Sequence, residues 1–69
     1  MTALERFGRR VRALNVYTQD TEIDGRPAFF IHQGDASRAQ AKRITRIAAE
    51  LGIKIDIADK GGIFSEESP

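Results

Sequence analysis

Four cations crowd one side of a single helical stretch. Arg38, Lys42 and Arg46 recur at i, i+4 and i+8, and Arg43 stands beside them. The N-terminal segment adds Arg6, Arg9, Arg10 and Arg12. Clustered guanidinium and ammonium groups are suited to binding anions. A stripe of this kind can track the phosphates of a nucleic acid, with an affinity that falls as salt is added. It can equally fit an acidic groove on another protein, where charge supplies steering and specificity. The third reading is a solvated helix face, on which Glu50 pairs with Arg46 at i+4 for roughly a few tenths of a kcal/mol. If the stripe binds, the residues expected to carry it are Arg38, Lys42, Arg43, Arg46, Arg9 and Arg10.

Other reactive residue types are present but poorly arranged for catalysis. His32, Asp35 and Ser37 include the residue types of a hydrolytic triad, yet they fall within six positions of one another. Triad members come together from separate parts of a fold, each oriented by its own support. Local roles explain these three better: Asp35 or Ser37 caps a helix, and His32 ends a strand. No oxyanion device or nucleophile motif accompanies them, and no enzyme is expected. Asp20, Glu22 and Asp24 lie along one strand without an EF-hand loop or a histidine–carboxylate cluster, which argues against a metal site. Surface charge that protects a sheet edge accounts for them. Gly34 precedes a helix but lacks the lysine and spacing of a phosphate loop, and Asp35 puts negative charge where a phosphate would sit. No cofactor is expected.

The elements that must position these residues follow from periodicity. Ala41, Ile44, Ala48 and Leu51, with Ile47 alongside, draw one apolar stripe down a helix from about Arg38 to Leu51. Ser37 with Gln40 forms a capping-box pattern at its start, and Gly52 suits a left-handed cap at its end. Ile53, Ile55 and Ile57 then alternate with Lys54 and Asp56, the period of a half-buried strand. Leu4, Phe7, Val11 and Leu14 repeat the helical spacing over residues 2–14, where Thr2 and Glu5 form a second capping box. Gly8 weakens that helix by about 1 kcal/mol relative to alanine, and the alternative is a long first strand that begins near Val11.

Val16 to Ile23 suits a strand, and Asp24-Gly25 supplies the positive φ angles of a tight hairpin turn. Pro27 cannot donate to a ladder, so its end of the second strand should be an edge or unpaired. Phe29, Phe30 and Ile31 follow in succession, so both faces of that strand carry bulk. One face should meet the long helix. The other should meet the N-terminal segment, a second subunit or a partner. Asp59 to Gly62 reads as a turn, after which Ile63 and Phe64 either add a short return strand or dock on the core edge. The fold class is α+β: a two-layer sandwich, α-β-β-α-β, with one long helix and an N-terminal helix on one face of a three-stranded sheet. Residues 1–64 form the domain, and 65–69 form a flexible acidic tail.

Size and composition bound the rest. A chain of 69 residues without cysteine has neither disulfides nor thiolate metal sites to stabilise it. A domain near this size buries only roughly 60% of its unfolded surface, which favours self-association. A homodimer is therefore a candidate state. The formal net charge of +1 predicts no strong whole-molecule pull toward nucleic acid or a membrane. No apolar run approaches membrane-spanning length and no signal peptide is evident, so the expected location is cytoplasmic.

The run Ser37-Arg38-Ala39-Gln40-Ala41-Lys42-Arg43-Ile44, after a hairpin and before a strand, resembles small phage-encoded anti-CRISPR proteins built as a ββαβ unit. The similarity covers the helix and the order of elements. It implies a non-enzymatic inhibitor that docks on a host protein complex. The residues and the resemblance together predict a small binding protein that acts on a partner macromolecule. The alternative is a dimeric nucleic-acid-binding regulator that uses the same basic helix face.

Overall fold

The computed structural model describes residues 1–67. Helix α1 runs Ala3–Arg12 and α2 runs Arg38–Leu51. Both begin with a complete capping box: the Thr2 hydroxyl accepts from the Glu5 amide while the Glu5 carboxylate accepts from the Thr2 amide, and Ser37 and Gln40 repeat the exchange. Two otherwise orphaned amides are satisfied at each start. Gly52 closes α2 at φ 69°, a backbone conformation that costs glycine no Cβ clash.

The sheet has four strands rather than the expected three: β1 (Gln19–Ile23), β2 (Arg26–His32), β3 (Ile53–Ala58) and β4 (Gly61–Glu66), all antiparallel in the order β1-β2-β4-β3. Asp24 and Gly25 take φ 51° and 75° and close the first hairpin as their sequence predicts. β2 and β3 are joined by α2 and stay apart, because β4 inserts between them. The β2–β4 register begins at Phe29 opposite Phe64. Extended by two residues it would set Pro27 opposite Glu66, and the ladder stops short of the residue that cannot donate.

The fourth strand was hidden by Gly61-Gly62, which reads as part of a turn. The turn is only Asp59-Lys60, with Lys60 at φ 67°. Gly61 lies within the sheet because a Cβ there would run into the Ile31 carbonyl and the Phe30 ring. β4 also carries the domain past residue 64. Ser65 is fully buried and Glu66 ends the strand, so the expected tail boundary falls inside an element. Residues 68 and 69 of that tail lie outside the described residues.

Both helices pack on one face of the sheet. Phe7 of α1 stacks on Phe64 of β4 with ring centroids 5.0 Å apart, and Val11, Ile31, Ile44, Ile47, Ala48 and Ile53 close around them. Phe29 is the aromatic that meets α1, under the Arg12 guanidinium and against Gly8. Phe30, one residue on, points to the other face, where it half-covers Gly61 beside His32. The N-terminal segment therefore leaves the second face of the sheet open. Two stripe residues also depart from expectation. Ala41 is exposed, and Ile57, at 89% exposure, extends beyond the cover of α2.

Candidate functional site

Arg38, Lys42, Arg43 and Arg46 are all exposed, and among the described residues none makes an ion pair or side-chain hydrogen bond. The local-pairing reading fails at its central contact. Glu50 reaches across to Arg10 of α1 at 3.0 Å instead of back to Arg46. That link makes Arg10 part of the joint between the helices, where both partners remain about half exposed. Arg9 is exposed on α1, and its field helps the Thr2 amide and hydroxyl hold the Glu5 carboxyl below its ordinary pKa. Arg12 is structural: it donates to Thr18 Oγ1 at 3.1 Å and lies over the Phe29 ring.

Helix dipoles separate the two groups of cations further. In α1 the acidic residue sits in the first turn and Arg9, Arg10 and Arg12 in the last, the distribution that a macrodipole favours. In α2 the distribution runs the other way. Arg38 occupies the first helical position, no carboxylate lies in that turn, and no cation lies in the last. A cation at the positive end of a helix costs about 0.3–1 kcal/mol at an exposed site. The dipole favours Arg9, Arg10 and Arg12 of α1 and opposes Arg38 of α2, while Lys42, Arg43 and Arg46 lie beyond its reach.

The folded arrangement also sorts charge in a way that the net value conceals. Eight of the eleven basic residues and two of the ten acidic ones lie in α1 and α2. The helix layer thus carries a formal +6, and the strands and connections −5. Counting charge by element would have exposed this division; counting it over the whole chain does not. Carboxylates also gather beside α1 itself: a groove of about 560 Å³ opens near its start, lined by Leu4 and Phe29 together with Glu5, Asp20, Glu66, Glu67 and Arg26.

The residues considered for catalysis are engaged locally. His32 Nδ1 accepts from the Gly34 amide at 2.9 Å, capping the short 3-10 turn at Gln33–Asp35, and its ring meets the edge of Phe30. Ser37 caps α2, and Gln40 of the same box also donates to the Leu14 carbonyl at 3.0 Å, tying α2 to the end of α1. Asp20 and Glu22 share a strand face, and Asp24 sits in the turn. Among the described residues no group of three or more histidine and carboxylate side chains gathers where it could hold a metal. No described helix is long and apolar enough to cross a membrane.

Fold and surface together define a small two-layer α+β protein whose helices carry most of its basic residues and whose strands and connections carry most of its acidic ones. Comparison with protein families, with curated proteins and with solved structures yields no match.

Proposed function

We propose that this is a non-catalytic binding protein that docks the outer face of α2 on an anionic surface of a partner macromolecule. One observation carries the reading. Arg38, Lys42, Arg43 and Arg46 are exposed and, among the described residues, unpaired, and Arg38 stands at the positive end of its own helix dipole, so intramolecular pairing does not account for them. The preferred partner is an acidic groove on a host protein or complex. Such an inhibitor, encoded by a phage or mobile element, works by occupying a surface its target needs, as the resemblance to anti-CRISPR proteins suggests. A nucleic acid is the second reading, favoured by the i, i+4, i+8 spacing, which sets three cations along roughly 12 Å of helix.

The test is capture of partners from bacterial lysate by the tagged chain, with and without nuclease, alongside Arg38→Glu/Lys42→Glu/Arg46→Glu. Circular dichroism should show the triple variant folded, because every substituted side chain is exposed. A discrete protein retained through nuclease by the wild type and lost by the variant supports docking on a protein. Nucleic acid that disappears with nuclease moves the assignment to the second reading. Undiminished capture by a folded triple variant removes α2 from the interface.

A further inference from the structure

We propose that two copies of this chain join through β3, edge against edge, with Ile55 on the two-fold axis, so that their sheets merge into one. β3 is an outer strand of the sheet with no proline, no bulge and alternate isoleucines over six residues, and its two charges, Lys54 and Asp56, are of opposite sign. Its hydrogen-bonding phase follows from the ladder with β4. The Glu67 amide donates to the Gly52 carbonyl in the β3–β4 register, so by alternation Lys54, Asp56 and Ala58 bond to β4. Ile53, Ile55 and Ile57 then turn their amides and carbonyls outward.

The sequence of that edge, Ile53-Lys54-Ile55-Asp56-Ile57, is complementary to itself when reversed. With Ile55 facing its own copy, Ile53 meets Ile57 of the second chain and Lys54 meets Asp56. All the outward amides and carbonyls find partners, forming about six backbone hydrogen bonds. Shifting the axis by one residue sets Lys54 against Lys54 or Asp56 against Asp56, and directly opposed like charges destabilise a ladder. Charge therefore selects one register. The β1 edge behaves differently: the same operation about Thr21 would set Asp20 against Glu22.

Two features show what the second copy would satisfy. Asp56 Oδ2 is buried without a hydrogen-bond partner, and its nearest cation, Lys54 of the same strand, stands 3.8 Å from the other oxygen. Lys54 of the second chain brings a further cation to the exposed part of this carboxylate. Ile57 is exposed beside a groove of about 390 Å³ that Ala41, Thr45 and Ile55 help to line, and the backbone of the second chain at Ile53 arrives alongside it. Ala41, Thr45 and Ala49 at i, i+4, i+8 give this flank of α2 short, uncharged, exposed side chains over which a second α2 can approach.

Sedimentation of the full chain over a concentration series tests the proposal. The wild type should reach twice its 7.7 kDa mass. Lys54→Asp and Asp56→Lys should each raise the dissociation midpoint roughly tenfold or more by placing like charges opposite one another. The double variant Lys54→Asp/Asp56→Lys restores opposite charges in the same register and should recover the dimer. Ile57→Asp, at a position the monomer core does not use, should stay folded and monomeric. Hydrogen exchange should slow at the amides of Ile53, Ile55 and Ile57 as the chain is concentrated. A wild type that remains at 7.7 kDa up to millimolar concentration overturns the proposal. So does a folded double variant no more dimeric than the singles.

Discussion

Glu5 joins helix capping to pH. The Thr2 amide, the Thr2 hydroxyl, the N-terminus and Arg9 together hold its carboxyl below the ordinary glutamate range. The folded state then binds fewer protons than the unfolded state across the interval between the two pKa values. The box therefore contributes in full above the unfolded value of about 4.3 and fades as pH falls through the lower folded value. Glu5→Gln keeps a neutral capping box but has no proton to gain. Urea midpoints of wild type and Glu5→Gln should differ at pH 7 and converge in acid once the folded carboxyl is protonated; an equal gap at both ends would remove the charge from the account. Gly8 gives a second residue-level expectation. Alanine there gains about 1 kcal/mol of helix propensity, but its Cβ would come within 2.7 Å of the Phe29 ring, which Arg12 covers. Overpacking costs typically about 1–3 kcal/mol, so Gly8→Ala should lower the urea midpoint in spite of the better propensity.

Among the elements, β4 does most to complete the fold. It bonds to β2 on one side and β3 on the other, and it contributes Phe64 to the aromatic stack under α1. Gly61→Ala should be the most damaging of the glycine substitutions, since the new methyl meets a backbone carbonyl as well as the Phe30 ring. A loss above about 3 kcal/mol is expected, because steric strain against backbone cannot relax by rotamer change. A urea midpoint within error of wild type would show that β4 yields easily at this point. The same strand marks where the sequence was legible and where it was not. Both helices, their capping boxes and the Asp24-Gly25 hairpin rest on local hydrogen bonds and periodicity, and a reader of residues can find them. β4 depends on long-range placement: Gly61 and Gly62 look like turn residues until Phe30 and the Ile31 carbonyl are known to crowd them. Glu50 bonding to Arg10 instead of Arg46 is likewise decided by tertiary packing.

For the whole molecule, the question is whether a partner responds to the net charge of +1 or to the +6 of the helix layer. Screening decides. The Cα extents are 30 × 24 × 16 Å, while the Debye length at physiological ionic strength is about 8 Å. A surface docked on α2 therefore responds chiefly to the charges within about that distance of it, and less to carboxylates at the far ends of the molecule. Position, rather than total charge, should govern binding to an anionic partner. Asp59→Lys/Glu67→Lys, both exposed and both outside the helices, raises the formal charge by four units yet should change affinity by less than about twofold at 0.15 M salt. Lys42→Glu/Arg46→Glu, an equal and opposite change made in the helix layer, should weaken binding roughly tenfold or more, mainly through slower association. Affinities that instead followed net charge, with the first variant tightening as much as the second weakens, would show that the layers act as one field. Fusing two copies at β3 sharpens the contrast, because a two-fold axis perpendicular to the sheet sets both helix layers on the same side. An anionic surface would then meet two basic faces at once, and Ile57→Asp would weaken its capture without altering any cation that touches it.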